Sequence, residues 1–261
     1  MPLSSALEFP QFTTEQCAEF QHRGLVHLKN VFTEDEVAVW QAECQRLLAI
    51  PGLIDESNLR TRFRELSTGG KGLGRMDPVC DISPVFAALA QDERVVHIAS
   101  TLLGEPARMF KNKLLIKMPN MVGYRLHQDY TYWQMEIPAN HLLTLQIPID
   151  PMAGLGSPLE IFPGTHHQLL QPPGVIVDPT EDQVSLEDAE LLESYPGDVV
   201  AFHSLLVHRS RNNQLSHPLF VLYFSYCAGR YGDCSEAYYE LSRQFVRTTL
   251  PPELRERAYF R

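Results

Sequence analysis

The stretch Tyr124-Arg125-Leu126-His127-Gln128-Asp129-Tyr130 decides how this chain is read. As extended backbone it sends side chains i and i+2 to one face, so His127 and Asp129 project together. An imidazole and a carboxylate on one face can bind a single metal ion. The pair alone is a weak signal, because His-x-Asp also arises by chance or serves a structural hydrogen bond. A distant histidine strengthens it. Pro196-Gly197-Asp198 is a turn signal, a strand-like run follows, and His208 closes the next such run. Two imidazoles and one carboxylate form the facial triad that holds Fe(II) and leaves one face open to O2 and an organic ligand. No cysteine is placed to build a thiolate zinc or iron–sulfur site.

Outward from that stretch, short apolar or alternating runs cover residues 109–118, 124–129, 142–149, 159–162, 199–202, 205–208 and 219–226. Turn signals separate them, among them Pro119-Asn120, Asp150-Pro151, Pro163-Gly164 and Asn212-Asn213. This punctuation predicts an all-β sandwich or barrel. The first third reads helical. Thr13 with Gln16, and Thr33 with Glu36, fit capping boxes. After Thr33, Val37, Trp40, Cys44 and Leu47 fall on one helical face, and residues 83–91 and 94–103 read as two further helices. Residues 25–31 alternate like a short strand, and the polar segment 53–74 is expected as a loop, a candidate lid. The expectation is one domain over 1–261, with a mostly helical layer at 1–105, a β-core at 106–240 and a C-terminal tail at 241–261.

Composition narrows the function. At 261 residues and 44% hydrophobic content the chain can bury a sizeable core. A formal net charge of -10 argues against a nucleic-acid partner. No apolar run approaches membrane-span length, and the start MPLSSALEFPQF lacks the pattern of a signal peptide. Five scattered cysteines without a CxxC pair fit free thiols, and a cytoplasmic location is expected. Oligomeric state is not legible.

An ordered set of segments carries a family resemblance. In chain order these are Leu126-His127-Gln128-Asp129-Tyr130 with Trp133; Pro158-Leu159-Glu160-Ile161-Phe162-Pro163-Gly164-Thr165-His166; Pro196-Gly197-Asp198; His208-Arg209-Ser210 with Asn213; and Leu222-Tyr223-Phe224-Ser225-Tyr226. Together they resemble the phytanoyl-CoA dioxygenase family of Fe(II)/2-oxoglutarate oxygenases, over nearly the whole chain. The resemblance implies a mainly β fold with flanking helices around a double-stranded β-helix (jelly-roll, cupin-like) core. It implies Fe(II) on His127, Asp129 and His208, with 2-oxoglutarate and O2 as co-substrates. The implied reaction is hydroxylation of an unactivated C–H bond in a small molecule, such as an amino acid, a phosphonate or a natural-product intermediate. Desaturation, epimerisation and ring closure are reachable from the same chemistry. Trp133, with Tyr130 and Tyr132, is the candidate wall of the substrate pocket.

One departure from the family pattern stands out. The family places an arginine at the start of the last core strand, where its guanidinium fork grips the far carboxylate of 2-oxoglutarate. Here that position falls on Leu219. Ser210 remains as a hydroxyl contact. Lys113 and Lys117, two turns of the pleat apart on one strand face, and Arg125, on the face of His127, are candidate replacement cations. The competing reading of the lysines is a solvated sheet edge. If no cation has taken over, the enzyme does not use 2-oxoglutarate, or the chain is a non-catalytic binding relative. His166, His167, His203 and His217 are read as structural or exposed histidines rather than ligands.

Overall fold

The computed structural model describes residues 13–133, 135–174, 179–180 and 183–261. Helices α1 (Thr14–Arg23) and α2 (Glu34–Leu48) both begin at the expected capping boxes, with Thr13 and Thr33 accepting from the backbone N–H three residues on. Strand β1 (Leu25–Leu28) lies between them, and strands β2 (Thr61–Glu65) and β3 (Lys71–Met76) follow as a hairpin. Helices α3 (Pro84–Ala90) and α4 (Glu93–Leu103) then lead to β4 (Ala107–Lys117), the short helix α5 (Tyr130–Trp133) and β5 (Leu142–Pro148). Strands β6 (Leu159–Phe162), β7 (Glu190–Leu192), β8 (Val199–His203), β9 (Val207–Ser210) and β10 (Leu219–Ala228) complete the core, and α6 (Ser235–Thr249) and α7 (Pro252–Arg255) close the chain.

The strands form two sheets. The larger has the order β1-β8-β5-β10-β4-β3-β2 and the smaller the order β7-β6-β9. The chain crosses between them repeatedly: β5 in the large sheet, β6 and β7 in the small, β8 in the large, β9 in the small, β10 in the large. All the strand pairs are antiparallel. Alternate return between two facing antiparallel sheets is the double-stranded β-helix.

Strand parity assigns the two faces of the large sheet. Leu114, Ile116, Leu145, Ile147, Leu222 and Phe224 join Trp40, Leu47, Phe86 and Ile98 of the helices in the main core. The opposite face turns Leu115, Leu219, Val221 and Tyr223 towards Leu159 and Ile161 of the small sheet. β10 is buried along its whole length, so it reads as an uninterrupted apolar run rather than an alternating one. Fully burying each such side chain contributes roughly 2 kcal/mol.

Three expectations need correction. The segment 53–74 is not a loop: it contains β2 and leads into β3, both part of the large sheet. Its strand character was hidden because Arg62, Arg64 and Arg75 occupy positions where an apolar alternation would otherwise show. Residues 1–105 therefore supply three strands as well as helices. Residues 241–261 are not a tail, since α6 runs through 249 and presses Tyr238 and Tyr239 against Phe110 of β4. The stretch 124–129 is not a regular strand either. It touches β9 through one bridge, His127 with His208, before the chain turns into α5.

That approach needs a glycine. A Cβ on Gly123 would lie 1.9 Å from the carbonyl oxygen of Ser210. Gly123 also accepts from the Arg64 guanidinium at 3.0 Å, while its N–H donates to the Asn212 side chain at 2.8 Å. Gly123→Ala is expected to lower stability by about 3 kcal/mol, because only backbone displacement can relieve the clash. The check is a urea denaturation curve, in which the midpoint falls; an unchanged midpoint would refute the close approach.

Candidate metal centre

His127 and His208 are brought together by backbone pairing. Each donates its N–H to the other's carbonyl oxygen at 3.0 Å, the closely spaced pair of an antiparallel ladder. Their rings lie 4.3 Å apart between centroids. Asp129 then swings in from the start of α5, placing Oδ1 3.7 Å from His127 Nε2. One ligand atom from each of the three residues falls within 4.8 Å of the others. The intervening Gln128 points the other way and pins the segment, donating to Leu205 and Gln168 carbonyls and accepting from the Leu170 N–H.

Hydrogen bonds orient each ligand. His127 Nδ1 lies 2.7 Å from the Arg125 carbonyl oxygen, and His208 Nδ1 lies 2.9 Å from that of Leu206. A carbonyl can only accept, so both Nδ1 atoms carry the proton and both Nε2 lone pairs are free for a metal. Thr144 donates to Asp129 Oδ2 at 3.1 Å and is itself paired with Ser225 at 3.0 Å. Burial pushes the His208 imidazole down to about 4, aided by His127, so it is neutral at neutral pH. Burial would raise the Asp129 carboxyl, but the adjacent His127 and the nearby Lys113 and His208 hold it well below the usual carboxylate range. Two imidazoles with Nε2 turned to the site and a carboxylate with one oxygen free fit a divalent iron and leave coordination positions open.

Two spaces meet at this cluster. A narrow slot between the sheets is lined by Lys113, Lys117, Tyr124, Ser210 and Tyr223 with the three ligands. A larger cavity of about 460 Å³ opens on the other side, towards α6, and shares Lys113, Tyr124, His127 and Asp129 with the slot. In the slot, Lys117 Nζ donates to Ser210 Oγ at 2.7 Å and lies 4.7 Å from the Tyr124 ring centre. Lys117 is 3% exposed, so the lysines of β4 are no solvated edge: β4 is flanked by β10 and β3. Burial pushes both Lys113 and Lys117 down to about 7, with Lys111 adding to the effect on the first and Arg64 to that on the second. Leu219 is the direct cross-strand partner of Lys117.

The other sequence candidates separate. Arg125 lines the larger cavity and not the slot. Trp133 and Tyr132 line the cavity, with Tyr132 edge-on to His127 at 5.4 Å. Tyr130 does not reach the cavity wall: the α5 turn directs its hydroxyl to the Ile137 carbonyl at 2.9 Å. His203 is half-buried and accepts from the Leu205 N–H, and His217 is exposed. Residues the sequence reading passed over are Tyr124, Lys111, Arg64, Arg75 and Tyr238. Parity on β4 could have added Lys111 to Lys113 and Lys117; nothing local marks the others.

A two-histidine, one-carboxylate cluster at the mouth of a double-stranded β-helix defines a mononuclear metal site of the non-haem iron type. A family model described as phytanoyl-CoA dioxygenase (PhyH) matches residues 20–218, and the chain belongs to this family. Ectoine dioxygenase from Sphingopyxis alaskensis is 27% identical over 230 residues, covering 79% of this chain and 72% of that protein. Methylphosphonate hydroxylase from Gimesia maris is 26% identical over 235 residues, covering 89% and 87%. The crystal structure of EctD from S. alaskensis with 2-oxoglutarate and 5-hydroxyectoine superposes with a TM-score of 0.72 at 24% identity, covering 87% of this chain and 79% of that one. It shares the fold described above.

Replacing Thr144 by Val keeps the shape and removes the hydrogen bond that aims Asp129. Thr144→Val is expected to weaken Fe(II) binding by about 10–100-fold, read by competition with a chromogenic chelator. His127→Ala and Asp129→Ala should abolish retention while circular dichroism stays unchanged. Full iron retention in either alanine variant would mean the metal sits elsewhere.

Proposed function

We propose that the protein is a mononuclear Fe(II)- and 2-oxoglutarate-dependent oxygenase that hydroxylates a small molecule. His127, Asp129 and His208 hold the iron. The observation that carries the 2-oxoglutarate part is the buried Lys117–Ser210 pair. Lys117 has a hydroxyl and an aromatic face as neighbours, with no carboxylate within ion-pair distance among the described residues. An ammonium held this way lacks a counter-charge, and burial of an unpaired charge is costly. A carboxylate entering the slot supplies that charge.

The family's arginine position and Lys117 face each other across the β10–β4 ladder. The clamp has thus moved one strand sideways. Lys117 and Ser210 would hold the far carboxylate of 2-oxoglutarate, and Tyr124, whose N–H also donates to Ser210 at 2.9 Å, would form the wall beside it. Iron supplies, when bound, the one-electron chemistry with O2 that couples decarboxylation of 2-oxoglutarate to C–H oxidation. The chain's own contributions are orientation and exclusion of water. The Nδ1–carbonyl bonds fix the imidazoles, Thr144 fixes Asp129, and the apolar residues Leu115, Leu159 and Tyr223 keep the slot dry. The metal ligands lie where slot and cavity meet, so co-substrate and substrate approach from different sides. A small molecule suits the cavity's volume. A cytoplasmic setting follows from the scattered free thiols.

The deciding experiment is anaerobic titration of the Fe(II)-loaded protein with 2-oxoglutarate. Its expected result is the weak visible charge-transfer band of a chelated 2-oxoacid, saturating with concentration, and succinate formed on turnover. Iron binding without a band at any concentration would remove 2-oxoglutarate from the reaction.

The clamp has its own test. Lys117→Leu should raise 2-oxoglutarate half-saturation by about 100-fold or more, and Lys117→Leu with Leu219→Arg should recover part of it. Because Lys117 is pushed down to about 7, raising the pH through 7 deprotonates the free protein. Half-saturation should then rise by up to about tenfold per pH unit, and the arginine double variant should lose this dependence. Unaltered half-saturation in Lys117→Leu would sink the displaced clamp.

A further inference from the structure

The larger cavity has a charge pattern that the iron and co-substrate do not use. The whole chain carries a net charge of -10, yet Arg64, Arg75, Lys111, Lys113 and Arg125 line this one space. Among the described lining residues Asp129 is the single carboxylate, and it belongs to the metal. Lys113 and Arg125 flank the metal ligands, which leaves Arg64, Arg75 and Lys111 as a separate group of cations.

These three are held mainly by aromatic faces and a carbonyl, with buried Asp77 the one carboxylate acting on them outside the metal centre. Lys111 is 6% exposed and sits over the rings of Trp133 and Tyr238, at 5.9 Å and 5.4 Å from their centres. It has no carboxylate within ion-pair distance among the described residues. Arg64 stacks on Tyr124 at 4.0 Å and spends one terminal nitrogen on the Gly123 carbonyl, leaving its buried Nε without a partner. Arg75 forms an ion pair with buried Asp77 at 3.7 Å, while its buried Nε makes no hydrogen bond. Aromatic faces, a carbonyl and a single shared carboxylate orient three cations and leave the group net positive, which suits an incoming anion.

The geometry points to a substrate that carries a tetrahedral oxyanion, a phosphonate or a phosphate monoester, seated between Arg64, Arg75 and Lys111. Three cations on separate strand positions, one from each of β2, β3 and β4, suit an anion with three terminal oxygens. A planar carboxylate presents two and is satisfied by a single guanidinium fork. The opposite wall supplies apolar surface from α6, where Leu241 and Phe245 stand one helical turn apart at the cavity. The hydrocarbon part of the substrate rests there, with its oxidised carbon towards the metal ligands. This inference deepens the oxygenase reading and rests on it.

Isothermal titration calorimetry with ethylphosphonate, ethyl phosphate and propionate tests it, on metal-free protein and on Fe(II)- and 2-oxoglutarate-loaded protein under anaerobic conditions. Both tetrahedral anions are expected to bind about tenfold or more tightly than propionate, and the tighter of the two identifies the source. Lys111→Met should abolish that preference and Lys111→Arg should retain it, while the 2-oxoglutarate charge-transfer band and its half-saturation stay unchanged in both. Equal affinity for propionate, or no binding of either tetrahedral anion while the band forms normally, overturns the substrate class and leaves the oxygenase standing. A raised 2-oxoglutarate half-saturation in Lys111→Met overturns it too, by assigning these cations to the co-substrate. If the band never forms, the oxygenase reading falls, and the metal-free titration still decides whether the oxyanion site exists.

Discussion

The reciprocal pair of backbone hydrogen bonds between His127 and His208 is the constraint on which the rest of the site depends. It ties an irregular segment to the outer edge of the small sheet, so two side chains 81 positions apart in a chain of 261 must face one another. Everything else around the metal adjusts to that contact. Gly123 gives up its side chain to let the segment approach. Gln128, between the two ligands, uses all three of its hydrogen bonds to hold the segment against the opposite wall. Asp129 joins only because the backbone turns into α5 immediately afterwards, which aims its carboxylate back at the imidazoles rather than along a strand.

A second consequence follows from where this pair sits. The ligands lie between two sheets whose facing surfaces would ordinarily be filled with branched apolar side chains. Here that interior is mixed: Leu159, Ile161, Val221 and Leu219 are apolar, and lysines of β4 stand among them. On β4, Leu115 stands between the inward-facing Lys113 and Lys117, and Lys111 follows on the same face towards the larger cavity. Such burial is unfavourable for an isolated protein. Aromatic faces reduce the cost without removing the charge: Tyr124 lies between Lys117 and Arg64, and Tyr238 and Trp133 cover Lys111. Tyr124 thereby belongs to the wall of both spaces.

The places where the sequence was legible and where it was not divide along this same line. Strands β6, β8 and β10 were readable because their burial is conventional and their flanking turns are strong. The helix starts were readable because Thr13 and Thr33 carry complete capping boxes. The facial triad was readable because the ligand types are few and their spacing is distinctive. β2 and the start of β3 were read as a polar loop because arginines and glycines stand where apolar residues would show the alternation by which strands are recognised. His127 and Asp129 were paired by strand parity, yet the structure brings them together through a bridge and a helical turn. The ligand assignment and the local conformation are thus separable. Tyr130 was grouped with Tyr132 and Trp133 by proximity in sequence, but in a helical turn neighbouring side chains diverge, and only the latter two reach the cavity.

The exchange at Leu219 shows what a displaced charge changes. An arginine at that position would offer a planar fork with fixed geometry and a charge that is never lost near neutral pH. Lys117 offers a point charge on a flexible stem from the neighbouring strand, and it acquires direction only through Ser210. Ser210 is in turn held by the Tyr124 N–H and bonds the Tyr124 carbonyl through its own N–H. The proposed clamp is therefore built on the same segment that delivers His127. A shift of residues 123–127 would move the metal ligand and the co-substrate cation's partner together. Arginine would make carboxylate binding largely independent of that segment; lysine makes it depend on the backbone pairing that also forms the metal centre. A leucine in place of a guanidinium at position 219 is in this sense no loss of the proposed site. It would couple two functions that an arginine would keep apart.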